Sequence, residues 1–445
     1  MTALGIHCFV PPYLLAELAR RGTLDAGYVD ACLRVDTTFR ERRGPGRDGG
    51  TPPRAGDARW TVHTSDGSER LPGEPVRREG EPATGDEAVD EAAAGITATL
   101  DLFRDDFARD SYDAAGAKLL LTVHYGRDYA NAFWDGTHLV FGDGDGRVFR
   151  RFTRAIDVLA HEFTHAVTEH TAGLVYRGQS GALNESVSDV FAICLKQRVL
   201  GQDSSSGSWL IGEEIFVPGV EARGLRDMER PGTAYDDPRL GKDPQPAHLD
   251  DYVETSDDNG GVHLNSGIPN RAFVLAARAI GGDTATGAGR VWYDALTSGD
   301  LTPTSDFAAF AAVTVAVAGD HADAVTAAWE GVGVTPGRSS TTPSPGEAPR
   351  PVAGPVVVRR SGGIVGQVVE GAIDPSADDD VAREVRTLVD RVDLTAAAAA
   401  YGNQADRYTY RVRVGDGDGA QEVDVPEGAL TDDLRRLVTL VLGGR

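Results

Sequence analysis

The chain has 445 residues and a formal net charge of −24, a length that suggests about two to four domains with sequence to spare for a large core. So acidic a surface argues against nucleic acid or an anionic membrane as a partner. Three scattered cysteines, Cys8, Cys32 and Cys194, exclude a disulfide framework, and there is no 18-residue apolar run.

In chain order, Met1 to Ala19 shows no basic stretch followed by a long apolar run. No secretion signal is visible, so cytoplasmic residence is expected, with signal-independent export as the alternative. Residues Ile6 to Leu15 lead into one helical pattern through Arg21 and another through Phe39, in a segment too short for a core of its own. Arg40 to Gly56, rich in Arg, Gly and Pro, reads as an exposed, cleavable tether. A helix is expected over Asp86 to Asp106, and strands over Lys118 to Tyr125 and Thr137 to Phe141. Gly142-Asp143-Gly144-Asp145-Gly146 reads as turn chemistry, a calcium loop being the alternative.

His161-Glu162-Phe163-Thr164-His165 carries the most chemistry. Residues four apart share a helix face, so His161 and His165 can aim two imidazoles at one zinc ion, with Glu162 beside the open position as general base. Glu185, twenty residues on and at the head of another helical pattern, supplies the third ligand. Asp189 shares the face of Glu185 and is expected to fix the tautomer of His161. Helices follow over Asn270 to Ile280 and Asp306 to Val317.

The stretch from about Tyr125 to Val334 resembles the thermolysin-like metallopeptidases. The blocks Asn131-Ala132-Phe133-Trp134, His161 through Tyr176, Asp258 through Gly267 (DNGGVHLNSG) and Leu301 through Ser305 carry the resemblance, in that order. It implies an α+β fold of two lobes, a mixed N-terminal and a mainly helical C-terminal one, with the zinc helix between them. In that family a bound zinc acidifies water and polarises the scissile carbonyl, while Glu162 takes the proton and passes it to the leaving amine. By the same resemblance His263 and Tyr176 stabilise the oxyanion and Asp258 orients His263. Arg226 would bind a substrate carbonyl, and Asn131 and Ala132 the peptide backbone. Phe149, Phe152, Val158, Ile211, Ile215 and Leu225 fall where the family lines its main specificity pocket, which implies cleavage on the amino side of bulky hydrophobic residues. Asp157, Glu213 and Glu214 match the family's double calcium site, but Lys196, Ser208 and Leu210 occupy other ligand positions. A lysine brings its own charge, so no calcium is expected there.

The Pro-Pro-Tyr-Leu element resembles the protealysin branch, whose pro-segment is short. Pro11, Pro12, Tyr13 and Leu14 are therefore expected on the primed side of the cleft, keeping the precursor inactive; a permanent structural arm is the alternative. Cys8 reads as a small buried residue, thiolate ligation of zinc being the other option.

Thr335 to Pro355 is a Pro/Ser/Thr linker. Beyond it, strands are expected over Val356 to Arg360, Val365 to Val368, Tyr408 to Val414 and Glu422 to Val425, with helices over Asp379 to Val392 and Pro426 to Gly443. This part lacks a nucleophile or ligand set and resembles emfourin-type inhibitors, with substrate recruitment or oligomerisation as alternatives. The expected division is 1–50 pro-segment, 57–335 catalytic, 336–355 linker and 356–445 inhibitor-like. The leading reading is a zinc endopeptidase made as an autoinhibited precursor acting on peptides or proteins. A non-catalytic binding protein on the same scaffold is the alternative.

Overall fold

The computed structural model describes residues 7–25, 58–337, 355–362, 369–374, 408–415, 421–426 and 432–442, with single positions at 27, 29, 381, 382, 385, 388, 389 and 430. They fall into two compact units, 7–337 and 355–442. Most of the second helical pattern before Phe39, the Arg40 to Gly56 tether, most of the Thr335 to Pro355 linker, the strand expected over Val365 to Val368 and most of the helix over Asp379 to Val392 lie outside the described residues.

In the first unit, strands β1 (His7–Cys8), β2 (Trp60–Thr64), β3 (Glu74–Arg78), β4 (Leu119–Val123), β5 (Ala132–Trp134) and β6 (His138–Phe141) form one sheet. Its order is β1-β5-β6-β4-β2-β3. The apolar run Leu119-Leu120-Leu121-Thr122-Val123 suits β4, which lies between parallel neighbours β2 and β6 and is almost wholly buried. At the other edge β1 pairs antiparallel with β5, His7 opposite Trp134 and Cys8 opposite Phe133, so the N-terminal segment adds a strand to the sheet.

Helix α1 (Pro12–Arg20) starts with proline at its first turn, where the missing N–H costs nothing, and buries Leu14, Leu15 and Leu18. Helix α2 (Glu87–Phe107) falls where the spacing predicts it. Asp86 caps it by accepting from the backbone N–H of Ala88 (2.9 Å) and Val89 (3.3 Å). Helices α3 (Ile156–Glu169) and α4 (Gly178–Leu200) pack against each other. From Ser180 to Gln197, α4 is buried on every side, the mark of a helix running through a core. Gly181 permits this packing, because a Cβ there would come within 2.4 Å of Val262 and 2.9 Å of the Tyr176 backbone.

Short paired strands β7 (Leu210–Ile211) with β8 (Arg226–Asp227), and β9 (Asp236–Asp237) with β10 (Gly241–Lys242), follow. Helices α5 (Asp258–Asn265), α6 (Gly267–Ile280), α7 (Arg290–Thr297), α8 (Phe307–Val317) and α9 (Ala322–Glu330) complete a helical back half. The fold is α+β, as expected. In the second unit β11 (Val356–Gly362), β12 (Val369–Ile373), β13 (Tyr408–Val414) and β14 (Gln421–Pro426) form an antiparallel sheet in the order β12-β11-β13-β14. Its core joins Val356, Val358, Val412 and Val425 to Leu434, Leu437 and Val441 of helix α10 (Asp432–Leu442).

Candidate active site

Helix α3 turns His161 and His165 toward α4, while Glu162, one residue on, faces the Trp134 backbone of β5, and all three are fully buried. Burying three ionisable groups is costly unless each has a partner. The Nδ1 of His161 faces Asp189 Oδ1 at 2.9 Å, and the Nδ1 of His165 faces Asn184 Oδ1 at 2.8 Å. Both partners come from α4: Asn184 directly precedes Glu185, and Asp189 lies one turn beyond it. If each Nδ1 carries the proton, as these acceptors require, the two Nε2 lone pairs point at each other across 3.0 Å. That arrangement needs a cation between them. His161, His165 and Glu185 offer ligand atoms all within 4.8 Å of one another, and Glu185 Oε2 is buried without a hydrogen bond. Two imidazoles and one carboxylate are the donor set of a catalytic zinc, so these residues fit that ion.

The two imidazoles differ in their electrostatics. Burial pushes His165 down to about 3, the neutral form a ligand needs, whereas on His161 burial is outweighed by Asp189 and Glu185, which raise it to about 9, so a proton holds the place between the rings that a metal ion would take. Burial also drives Glu162 up to about 8, although His161 opposes it, and neither Glu162 carboxylate oxygen has a hydrogen-bond partner. That shift favours the neutral acid, and a cation on the neighbouring ligands would favour the carboxylate, the form that can take a proton from water.

His263 and Tyr176 approach the same spot from other elements. Tyr176 Oη lies 3.1 Å from His263 Nε2 and donates a short hydrogen bond to Glu185 Oε1. Asp258 holds His263 through its Nδ1 (2.6 Å) and its backbone N–H (3.0 Å). The chain reaches this geometry through four successive left-handed residues, Asp258, Asn259, Gly260 and Gly261, with φ of 51°, 53°, 87° and 73°. Asp, Asn and Gly are the residues that tolerate this region, so Asp258-Asn259-Gly260-Gly261 is a local instruction to fold the carboxylate back onto the imidazole. Burial disfavours charge on His263, but Asp258 and Glu185 outweigh it and raise it to about 9.

Asp189 is a buried hub. Besides His161 it accepts from Arg226 Nε (2.8 Å) and Nη2 (2.7 Å) and from Asn270 Nδ2 (2.8 Å). One carboxylate therefore orients a metal ligand and the arginine of the cleft together. Asn184 and Asn270 were not singled out from the sequence. An amide inside a buried helix has no local signature, although Asn184 is the direct neighbour of Glu185.

The cleft holds the N-terminal segment. The backbone N–H of Phe9 donates to Ala132 O (3.0 Å) and that of Val10 to Asn131 Oδ1 (2.8 Å). Asn131 Nδ2 donates to Val10 O (3.2 Å), Arg226 Nη1 to Phe9 O (3.1 Å), and His263 Nε2 lies 2.9 Å from Cys8 O. The Phe9 ring meets His161 and Phe152 edge-on and lies under the Arg226 guanidinium. A Cβ at Gly212 would touch Ile215, Leu225 and Phe9 alike, which places these three side chains around one point. Phe149 lies behind, against Phe152 and Phe216, and Val158 and Ile211 are fully buried.

The backbone contacts to the cleft come from Cys8, Phe9 and Val10, and Pro11, Pro12, Tyr13 and Leu14, expected on the primed side, follow them into α1, with Tyr13 close enough to Arg226 and Asp258 to feel their charge. The Pro-Pro pair starts a helix, and only the extended residues ahead of it can pair with β5. Leu14 is buried, and Tyr13 hydrogen-bonds the side chain of Tyr235.

Lys196 is buried beside the former acidic cluster. Its Nζ donates to Leu210 O (2.8 Å), contacts Asp157 Oδ2 (3.2 Å) and makes a short bond to Glu213. Ser208 Oγ donates to the same Glu213 oxygen (2.9 Å). Of the Gly142 to Gly146 loop, Asp145 accepts from the N–H of Val148 and Phe149, and Asp143 pairs with His124.

Comparison with known proteins follows this geometry. The thermolysin metallopeptidase catalytic domain family matches residues 59–169, the thermolysin metallopeptidase alpha-helical domain family residues 172–334, and the emfourin family residues 358–442. An extracellular metalloprotease of Pectobacterium carotovorum subsp. carotovorum is 49% identical over 341 residues, 75% of this chain and 98% of the relative. Protease PrtS of Photorhabdus sp. (strain Az29) is 46% identical over 281 residues, 62% of this chain and 76% of the relative. The solved precursor of protealysin from Serratia proteamaculans superposes with a TM-score of 0.67 at 46% identity, covering 74% of this chain and all of that one. Among the described residues no helix is long and apolar enough to cross a membrane. The chain belongs to the thermolysin-like metallopeptidases, as an enzyme precursor of the protealysin branch with an emfourin domain behind it.

Proposed function

We propose that this precursor yields a zinc endopeptidase that cuts on the amino side of bulky hydrophobic residues, and that its own N-terminal segment and C-terminal domain hold it inactive. The observation that carries the reading is the pair of Nε2 atoms 3.0 Å apart, facing the Glu185 carboxylate and flanked by the unpartnered oxygens of Glu162. His161, His165 and Glu185 hold the zinc, which supplies Lewis-acid polarisation and acidified water. Glu162 takes the proton and returns it to the leaving amine. His263 and Tyr176 donate toward the developing oxyanion, with Asp258 behind His263 and Asp189 behind His161 and Arg226. Asn131, Ala132 and Arg226 bind the substrate backbone. Phe149, Phe152, Val158, Ile211, Ile215 and Leu225 form or back the apolar pocket, and a pocket that accepts Phe9 suits a bulky hydrophobic side chain.

The same proposal divides the chain into 1–50 pro-segment, 57–335 catalytic part, 336–355 linker and 356–445 inhibitor domain. It assigns Lys196 the place of calcium at the double site. Cytoplasmic residence is the expectation within it; because the Pectobacterium relative is named extracellular, fractionating expressing cells into cytoplasm and medium decides the point. The central test is a peptide library incubated with protein whose N-terminal segment and C-terminal domain have been cut away, with and without a zinc chelator, and read by mass spectrometry. Chelator-sensitive cuts ahead of Phe, Leu or Ile are expected, and random or chelator-resistant cuts would sink the reading.

A further inference from the structure

Five polar contacts fix the register of the N-terminal segment, and together they describe a substrate rather than a plug. Each group proposed to bind a substrate backbone is taken by a residue of the chain's own segment. Arg226 donates to the carbonyl of Phe9 (3.1 Å), Ala132 accepts from the Phe9 N–H (3.0 Å), and Asn131 makes both bonds to Val10 (2.8 and 3.2 Å). The Phe9 ring fills the apolar pocket between Phe152, Ile215 and Leu225. In that register the next carbonyl upstream, that of Cys8, must occupy the position of the scissile carbonyl. It does: Cys8 O lies 2.9 Å from His263 Nε2, the donor proposed for the oxyanion. The bond on the amino side of a bulky hydrophobic residue is then Cys8–Phe9.

We propose that the zinc-loaded precursor hydrolyses its own Cys8–Phe9 peptide bond and keeps the downstream product bound. This rests on the peptidase reading above. Water adds to the Cys8 carbonyl carbon, the C–N bond to Phe9 breaks, and the proton taken up by Glu162 goes to the Phe9 amine. The products are a Cys8 carboxylate and a chain beginning at Phe9, with no redox change. The upstream piece loses its covalent tie and leaves. The downstream piece stays, because Arg226 and Asn131 still hold Phe9 and Val10, Leu14, Leu15 and Leu18 of α1 remain buried, and Arg21 Nη1 still donates to Pro238 O (3.0 Å). The cut therefore leaves the cleft occupied, and activation needs a later event.

The test uses the full chain in three forms: wild type, Glu162→Ala and Phe9→Asp, each zinc-loaded and followed by intact mass and N-terminal sequencing. Wild type is expected to convert to a chain starting at Phe9, while Glu162→Ala and Phe9→Asp keep that bond and Phe9→Leu is cut like wild type. A second readout needs no turnover. In the Glu162→Ala chain the amide of Val10 should exchange with deuterium on the order of 10-fold more slowly than in the Glu162→Ala, Phe9→Asp double variant. Equal exchange in the two overturns the substrate-like register. Glu162-dependent cuts elsewhere, or hydrolysis of added peptide, with Cys8–Phe9 intact overturn this proposal and leave the peptidase reading standing. No Glu162-dependent cut anywhere in the full chain likewise overturns this proposal, and the peptidase reading is then decided by the library test on protein freed of its inhibitory parts.

Discussion

Glu162 and His161 are neighbours in sequence and do different work, which a pair of substitutions separates. Glu162 lies outside the cluster of ligand atoms, so Glu162→Ala should leave zinc stoichiometry unchanged while turnover falls by roughly 10² to 10⁴. His161→Ala should lose metal and activity together, and a zinc assay on the same preparations tells the two apart. Asp189 makes a sharper case, because it is four bonds deep in the core and touches neither water nor substrate. Asp189→Asn removes the charge that faces the buried Arg226 guanidinium while keeping the shape. Breaking a buried pair on one side costs about 3–5 kcal/mol, and loss of the carboxylate behind a ligand histidine weakens metal binding by about 10 to 100-fold. Chemical denaturation and zinc titration should register both losses. A variant that loses stability but keeps wild-type zinc affinity would mean Asp189 serves Arg226 alone. At this scale the sequence already marked out His161, His165 and Glu185 as a cluster, since spacing on helix faces brings them together. It marked neither Asn184 nor Asn270, whose roles exist only once α3, α4 and α6 have packed.

Between elements, two ion-pair clusters tie the sheet side to the helices. His124 lies between Asp143 of the Gly142 to Gly146 loop and Asp86, the cap of α2. Asp143 contributes most, burial opposes, and the net effect lifts His124 to about 9. A folded value above the unfolded 6.5 means its stabilisation is complete below about pH 6.5 and disappears as pH rises through about 9. Wild type should therefore be more stable than His124→Gln at pH 6, by no more than about 1 kcal/mol at so exposed a site, and the difference should vanish near pH 10. Thermal melts of both proteins across that range check the sign. Lys196 is the deeper cluster. Its ammonium already pairs with both Asp157 and Glu213 and occupies the space between them, so millimolar calcium or a calcium-selective chelator should leave the melting temperature unchanged. Lys196→Ala should cost about 3 kcal/mol, by leaving those carboxylates facing each other, and calcium should restore part of it. Calcium dependence in the wild type would refute the assignment. Long elements were readable from period and caps: α2 begins after Asp86, and α8 after Asp306, whose side chain accepts from the Ala309 N–H. The two-residue strand β1 was not. Nothing within His7 and Cys8 distinguishes a strand, and only the free edge of β5 makes them one. For the same reason Pro11 to Leu14 carry a conspicuous motif, whereas the plain residues before them, Cys8, Phe9 and Val10, show their backbone bonds only in the fold.

On the scale of the whole molecule, the chain joins a peptidase to a domain of an inhibitor family through a stretch, Thr335 to Pro355, whose composition cannot form a core. Covalent connection through a stretch of this length places the second unit at roughly millimolar effective concentration, so even weak intrinsic affinity would keep a cleft covered. Inhibition and substrate recruitment both use proximity and predict opposite signs. The second unit has its own core of Val356, Val358, Val412, Leu434 and Leu437, so it can be prepared alone as residues 355–445 and added to full-length enzyme whose linker has been cut. If it inhibits, small-peptide hydrolysis should rise when the linker is cut and the mixture diluted to nanomolar, then fall saturably as the isolated domain is returned. Substitutions that leave its sheet intact but change exposed residues such as Arg359 or Arg411 would then map the contact. If it recruits, small-peptide turnover should be indifferent to the domain while one protein substrate is cut faster with the linker whole. The dilution series discriminates even if the N-terminal segment still occupies the cleft in part, because that segment is untouched by either treatment and only the concentration of the second unit changes. Activity that ignores both the cut and the returned domain would assign all autoinhibition to the N-terminal segment.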